Sequence, residues 1–132
     1  MRKVIDSWAL MEWIQGQPRA GRVVKILEQA SSGSVELLIS MINVGEVYYL
    51  LAKRLGLEQA EDFLNRFPAL PMRSVVPDAA GIIDAAKLKG SYPISYADSF
   101  AAALAIGERV PLVTGDPEFK RLSRILKLEW IG

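Results

Sequence analysis

Residues 37–47 read Leu-Leu-Ile-Ser-Met-Ile-Asn-Val-Gly-Glu-Val, a short apolar run that is followed at once by a helical pattern. Residues 37–39 contain no polar side chain, which is typical of a buried strand. Ser40 is a favourable N-cap, and residues 41–55 predict a long helix that Gly56 ends where a left-handed cap is needed. The stretch therefore predicts a buried strand that leads directly into a helix, the unit from which α/β folds are built.

Similar units occur along the whole chain. Further apolar runs predict strands at residues 4–5, 73–76, 112–114 and 128–131. Helical patterns occupy residues 8–15, 22–30, 58–67, 78–88, 95–106, where we expect Gly107 to end the helix, and 117–126. Apolar strands separated by helices are typical of a parallel sheet covered on both faces. Because 51% of the 132 residues are hydrophobic, we expect one α/β domain with a real core across residues 1–132.

The composition excludes several kinds of chemistry. The chain has neither cysteine nor histidine, so disulfides, thiolate nucleophiles, common zinc sites and Ser-His-Asp triads are all excluded. Any hydrolytic reaction must therefore use carboxylates and a metal ion. The formal charge of +1 gives no general indication of nucleic-acid binding. The chain contains no signal peptide pattern and no apolar run long enough to span a bilayer, so we expect a soluble, cytoplasmic protein.

Four acids occur where a predicted strand ends or a predicted helix begins: Asp6, Glu46, Asp98 and Asp116. Ligands of open α/β sheets bind outside the carboxyl ends of the strands, so these side chains are expected at one edge of the sheet. Glu46 carries most weight, because Asn43 is its only polar neighbour apart from tyrosines on a helix that is otherwise apolar. Carboxylates gathered in this way repel one another, and a divalent cation between them relieves the repulsion.

Each acid also has a purely structural explanation. Ser95 and Asp98 match a capping box, and Asp116 before Pro117 matches an N-cap followed by proline at the first helical position. Asp6 could form an ordinary turn into the next helix. Taken singly, these alternatives stay open, but four such coincidences at one sheet edge favour a shared site.

Four motifs occur in a fixed order: Val-Ile-Asp-Ser at residues 4–7, Ile-Asn-Val-Gly-Glu-Val at 42–47, Tyr-Ala-Asp-Ser-Phe-Ala-Ala-Ala at 96–103 and Leu-Val-Thr-Gly-Asp-Pro-Glu-Phe at 112–119. Together they resemble the PIN-domain ribonucleases, especially the VapC-type toxins of toxin–antitoxin pairs. The resemblance spans the whole chain. It implies a three-layer α/β/α domain with a central, mostly parallel sheet of about five strands, and an endoribonuclease that depends on a divalent metal.

The resemblance also implies roles for individual residues. The metal-binding and catalytic residues would be Asp6, Glu46, Asp98 and Asp116, with Mg²⁺ or Mn²⁺ as the cofactor and with polar support from Ser7, Asn43 and Thr114. The implied partners are an RNA substrate, an antitoxin protein in a groove beside the active site, and a second copy of the chain in a homodimer. Trp8 departs from the family pattern, in which a smaller residue is common, and so it is expected either at the pocket mouth or in the core.

Two other classes of function remain as alternatives. An aspartate-dependent phosphatase or phosphotransfer domain would use Asp6 as the nucleophile, but a dehalogenase-like site needs a second acid where this chain has Trp8. A non-catalytic partner-binding module could use Met11, Trp13 and Ile14, together with Trp8, as an apolar groove. For the RNA backbone, the candidate cations are Arg19, Arg22, Lys25, Lys87, Lys89, Lys120, Arg121 and Arg124.

Overall fold

The computed structural model describes residues 1–132 and contains one five-stranded sheet. The strands are β1 (Arg2–Ile5), β2 (Glu36–Ser40), β3 (Arg73–Val75), β4 (Leu112–Thr114) and β5 (Leu128–Trp130). The helices are α1 (Ser7–Ile14), α2 (Ala20–Ser31), α3 (Met41–Leu55), α4 (Leu57–Arg66), α5 (Ala79–Ser91) and α6 (Tyr96–Glu108), and short 3₁₀ segments cover Phe67–Ala69 and Pro117–Leu122. The strand order is β3-β2-β1-β4-β5 and every pair is parallel, so the predicted α/β class with a sheet of five strands is confirmed.

Helices cover both faces of the sheet, which gives the three-layer arrangement. Val4 pairs with Leu38 on one side and Leu112 on the other, and all three point into a core closed mainly by α6. Ile5 and Val113 form the next pair and point the opposite way, into a core closed by α1 to α4. Because successive strand residues face opposite sides, strands buried on both faces must be apolar throughout.

Several element ends lie one to three residues from their predicted positions, and two differences from the predictions have a clear physical reason. Helix α6 continues past Gly107 and ends at Arg109, which has a left-handed φ of 58°. The Arg109 and Val110 amides close a Schellman motif by donating to the Ile106 and Ala105 carbonyls. The segment after β4 is a 3₁₀ turn, not the predicted α-helix, and its buried Phe119 and Leu122 are three residues apart, a spacing that lies on one face of a 3₁₀ helix.

The carboxyl ends of the strands coincide with the starts of helices. Asp6 caps α1 directly after β1, Ser40 caps α3 at the end of β2, and Asp116 caps the 3₁₀ segment after β4. Helix α6 begins at the same edge, since the Asn43 side chain in α3 donates to the Ala97 carbonyl over 3.1 Å. This edge therefore collects four element starts together with their polar caps. No helix has the length and apolar character needed to cross a membrane.

The C-terminal end of the chain packs beside this edge against Gly115. Arg22 donates to the carbonyls of Ile131 and Gly132 over 3.1 Å each, which holds the chain end in place. Gly115 lies so close to the Trp8 ring that a Cβ there would overlap ring atom Cζ3, and it would also be 2.9 Å from the Cα of Gly132. Position 115 therefore has no space for a side chain.

We predict that Gly115→Ala lowers the free energy of unfolding by about 1–3 kcal/mol, because the added methyl group overpacks against the indole. Gly107→Ala is the matched control: its Cβ would meet nothing within 4 Å, so it should be neutral or slightly stabilising. Urea denaturation measures both. In a Trp8→Ala background the cost of Gly115→Ala should shrink, and an undiminished cost there would contradict the explanation.

Candidate active site

Asp6 lies beneath the sheet edge with no exposed surface and both carboxylate oxygens bonded. Its Oδ1 accepts from the Ala9 amide at 2.9 Å, which caps α1, and its Oδ2 accepts from the Thr114 hydroxyl at 2.5 Å. The Thr114 hydroxyl oxygen in turn accepts from the Asp116 amide at 3.1 Å. One carboxylate thus joins β1, α1 and β4, and it is linked through Thr114 to the backbone of the next acid.

Glu46 lies one helical turn along α3 from Asn43 and is half-buried. Its Oε1 accepts a short hydrogen bond from the Ser7 hydroxyl and a 3.4 Å bond from the Asn43 amide group. Asn43 is fully buried, and its Oδ1 has no hydrogen-bond partner. Ser7 and Asn43 therefore orient the glutamate, and one buried acceptor remains unsatisfied beside it.

The third group of acids comes from α6 and the 3₁₀ segment. Carboxylate oxygens of Asp98, Asp116 and Glu118 all lie within 4.8 Å of one another. The cap interactions expected from sequence are also present: Ser95 accepts from the Asp98 amide at 3.1 Å, and Asp116 accepts from the Glu118 amide at 3.0 Å. Capping and clustering therefore occur in the same residues and were not true alternatives.

These groups line one open cavity of about 320 Å³, which we call the acidic cleft. Its acidic residues are Glu12, Glu46, Asp98, Asp116 and Glu118. Trp8, Met11 and Leu50 contribute apolar surface, and Gln15, Gln17 and Arg54 line it as well. None of the cleft carboxylates forms a salt bridge, so their charges are left uncompensated by the protein's own cations.

Burial and mutual repulsion disfavour the charged forms of two acids. Loss of hydration raises the pKa of Asp6 from 3.8 to about 8, even though the bonds from Thr114 and Ala9 oppose the shift, and the charges of Asp98 and Asp116 raise it further. Burial also raises the pKa of Asp98 to about 7, with repulsion from Asp116 and Glu46 as the next causes. A site with these properties gains free energy by binding a cation.

The donor set fits Mg²⁺ or Mn²⁺. Every side-chain donor in the cluster is an oxygen, and hard divalent cations prefer carboxylate oxygens together with water. The unpartnered Oδ1 of Asn43 is an additional acceptor that a cation-bound water would satisfy. The arrangement can therefore hold a divalent ion at the edge of an open cleft.

All seven residues singled out from the sequence occur at this sheet edge. Glu46, Asp98 and Asp116 line the cleft, Asp6 lies below it, and the polar residues Ser7, Asn43 and Thr114 bond to the acids. Glu118 was not predicted as a site residue, although its place two residues after Asp116 in a first helical turn was a usable signal. None of the eight candidate cations lines the cleft, whereas Arg54, which was not among them, does. Trp8 both lines the cleft and packs partly on the core.

A family model and several solved structures match this chain. Residues 3–125 match the family model described as PIN domain. The crystal structure of DNA-bound VapBC from Salmonella typhimurium has a chain with a TM-score of 0.75 at 16% identity, covering 100% of this chain and 99% of that one. For VapBC2 from Rickettsia felis, bound to a DNA fragment from their promoter, the TM-score is 0.73 at 21% identity, with 98% of each chain covered.

The Mycobacterium tuberculosis toxin VapC20, described as cleaving the sarcin-ricin loop, is a third similar structure. Its TM-score is 0.74 at 17% identity, over 91% of this chain and 94% of that chain. At such low identity the three structures demonstrate a common fold and no more. No match was found among curated protein sequences.

We predict that the metal-free protein loses stability as pH rises from about 4 to about 8. Because the folded pKa of Asp6 lies above its ordinary value of 3.8, the native state holds more protons than the unfolded chain in this range. The stabilising contribution is complete below pH 3.8 and is lost as pH rises through about 8. Asp98 adds to the effect with the same sign.

Melting temperatures in EDTA between pH 5 and pH 8.5 measure this slope. Asp6→Asn and Asp98→Asn should each flatten it, because an amide does not titrate. Asp84→Asn removes an exposed carboxylate of α5 outside the cleft and should leave the slope unchanged. A wild-type melting temperature that is constant or rises over this interval would contradict the prediction.

Proposed function

The chain belongs to the PIN-domain family, and on this premise we propose that it is a divalent-metal-dependent endoribonuclease, acting in the cytoplasm as the toxin of a toxin–antitoxin pair. The observation that carries the proposal is the group of unpaired acids at the carboxyl edge of the sheet, above all the 4.8 Å cluster of Asp98, Asp116 and Glu118. The three carboxylate oxygens of this cluster are close enough to coordinate one cation. The cluster lies in an open cleft that an RNA strand can enter.

We assign the ion to the carboxylate oxygens of Glu46, Asp98 and Asp116, with Glu118 as a further oxygen donor. Asp6, which is buried below them, contributes its charge to the site. When bound, Mg²⁺ or Mn²⁺ lowers the pKa of a water ligand and offsets charge on the phosphate that is attacked. The Thr114 hydroxyl and the Ala9 amide hold the Asp6 carboxylate in one orientation. Ser7 and Asn43 do the same for Glu46, so that the acids are preorganised at little further entropic cost.

The phosphatase alternative is disfavoured by the burial of Asp6. A nucleophilic aspartate must reach a phosphorus atom, but Asp6 has no exposed surface and both of its oxygens accept hydrogen bonds. The remaining alternative, a module that binds partners without catalysis, predicts no metal-dependent cleavage and is separated from our proposal by the assay below.

An apolar groove beside the cleft supports the proposed antitoxin partner. Trp13 and Ile14 of α1 line a cavity of about 590 Å³ together with Leu51, Leu55 and Phe63 of the helices opposite. Only Trp13 and Ile14 of the four residues anticipated for such a groove line it, since Trp8 and Met11 line the acidic cleft. A groove of this size accommodates the apolar side chains of a protein segment.

We predict that Asp6→Asn, Glu46→Gln, Asp98→Asn and Asp116→Asn each lower Mg²⁺-dependent cleavage of single-stranded RNA by on the order of 100-fold or more, because each removes a charge from the ion's site. Steady-state cleavage of a labelled oligonucleotide measures the loss, and EDTA should abolish the wild-type activity.

Glu12→Gln is the matched control. Its carboxylate lines the same cleft, but it accepts from the Arg19 amide at 3.2 Å and forms no hydrogen bond with Ser7, Asn43 or Thr114, so near-wild-type cleavage is expected. Full activity in any two of the four amide variants would overturn the assignment of the site.

We further propose that the chain forms a homodimer through α3 and α5. Met41 and Ile42 on α3 are 40% and 38% exposed, and Ile82 and Ile83 on α5 are 41% and 54% exposed. Val76, just before α5, is 75% exposed. Exposed aliphatic surface of this kind is typical of protein interfaces.

Ile83→Glu should convert the dimer to a monomer at micromolar concentration, because the interface would have to bury an unpaired charge. Light scattering coupled to size-exclusion chromatography measures the mass. Ile125→Glu is the control, since Ile125 is 46% exposed but follows the 3₁₀ segment away from these helices. A wild-type mass equal to one chain would contradict the proposal.

A further inference from the structure

The acidic cleft contains a single basic side chain, that of Arg54 in the last turn of α3. All other charged residues that line the cleft are acids. An RNA strand is itself anionic, so it is repelled by every charged side chain here except this one. Apart from the bound ion, Arg54 is the one positive charge that a phosphate meets among the residues lining the cleft.

The Arg54 guanidinium is not neutralised by any carboxylate. It forms no salt bridge, although five acids line the same cleft, and its side-chain hydrogen bond goes to the neutral Oε1 of Gln15 at 3.1 Å. Gln15 directly follows α1, whereas Arg54 belongs to α3. The bond therefore ties the guanidinium of one helix to the end of the other. The charge is therefore oriented and remains available to an anion.

Arg54 and Glu46 lie on the same face of α3, because a separation of eight residues is close to two complete turns. With a rise of 1.5 Å per residue, their backbones are roughly 12 Å apart along the helix axis. Four of the five acids that line the cleft therefore lie at its sheet-edge end, and its one cation lies near the last turn of α3, while Glu12 lines the cleft from α1. This polarity suits a ligand that carries several phosphates in a row.

We propose that Arg54 binds a phosphate of single-stranded RNA that flanks the scissile one, and so fixes how the strand lies in the cleft. This inference rests on the ribonuclease function proposed above. Arginine suits the role because its planar guanidinium binds a phosphate through two parallel hydrogen bonds, whereas an ammonium acts as a point charge. Arg54 contacts substrate away from the reacting atoms, and its contribution is to binding.

A purely structural explanation exists for a basic residue at this position. A cation in the last turn of a helix stabilises the negative end of the helix dipole. Lys53 shares that turn and would share that effect, but it lies over the Tyr49 ring and does not line the cleft. Lys53 is therefore a matched control for Arg54, because it has the same charge and lies in the same last turn of α3, where the helix dipole acts on both residues.

The test compares Arg54→Ala, Arg54→Lys and Lys53→Ala in Mg²⁺-dependent cleavage of a mixed-sequence single-stranded RNA. Arg54→Ala should raise KM about tenfold with kcat nearly unchanged, since a charge-assisted contact made equally in ground and transition states is lost. It should also make the slope of log(kcat/KM) against log salt shallower by about 0.7, the share of one phosphate on a single strand. Arg54→Lys should lie between Arg54→Ala and the wild type, and Lys53→Ala should match the wild type in both measures.

A second pair of variants tests the charge without removing the arginine. Gln15→Glu places a carboxylate against the guanidinium and should raise KM to a similar extent by neutralising it. Gln17→Glu adds the same charge to the same cleft without that hydrogen bond and should have a smaller effect. Equal effects of the two would mean that general repulsion explains the result, and would overturn the assignment.

The outcomes also distinguish a failure of the role proposed for Arg54 from a failure of the proposed ribonuclease function. Absence of metal-dependent cleavage in the wild type would overturn the ribonuclease proposal and this inference with it. A cleaving wild type in which Arg54→Ala and Lys53→Ala leave KM and the salt slope unchanged would overturn the role of Arg54 alone. In that case the Arg54 guanidinium would be assigned to binding a carboxylate of a protein partner.

Discussion

The buried carboxylate of Asp6 is the interaction on which the rest of the structure depends. It receives hydrogen bonds from the Ala9 amide and the Thr114 hydroxyl, and so it fixes the start of α1 against the ends of β1 and β4. A carboxylate without exposed surface is expensive to keep charged, and burial raises its pKa to about 8. The ends of β1 and β4 therefore meet at a carboxyl group that is stable when it is protonated or close to a cation.

The helix caps and the candidate site are made from the same atoms. Asp6 and Asp116 satisfy free amides at the starts of their elements, while Ser95 does so for the helix that carries Asp98. Because the carboxyl ends of parallel strands lie at one edge of the sheet and lead into helices there, the caps of several elements lie close together at that edge. Acidic caps placed at that edge are close enough to repel one another, which explains how an ordinary local interaction produces a shared electrostatic site.

Charge is distributed unevenly along the cleft. Four of the five acids gather at the sheet edge and Glu12 lines the cleft from α1, whereas Arg54 lies roughly two helical turns from Glu46, near the end of α3. Several other arginines and lysines are engaged elsewhere: Arg22 holds the C-terminal carbonyls, Arg121 donates to the Pro93 carbonyl, and Lys120 lies over the Trp130 ring. The net charge of the chain is close to zero, and yet the charges inside the cleft are unevenly placed. The local field that a ligand meets depends on where the charged side chains lie and not on their sum.

The sequence by itself determined the order of strands and helices, the parallel sheet and the acids at its edge, because apolar runs and helix caps are local patterns that report burial and element ends. Arg54 could not be placed from the sequence, since a surface base acquires a role only from the residues that fold around it. The sequence also left Trp8 open between core and pocket, whereas in the fold Trp8 packs against Gly115 and the core and also lines the cleft. Such distinctions depend on which distant segments come within a few ångströms, and that is decided only by tertiary packing.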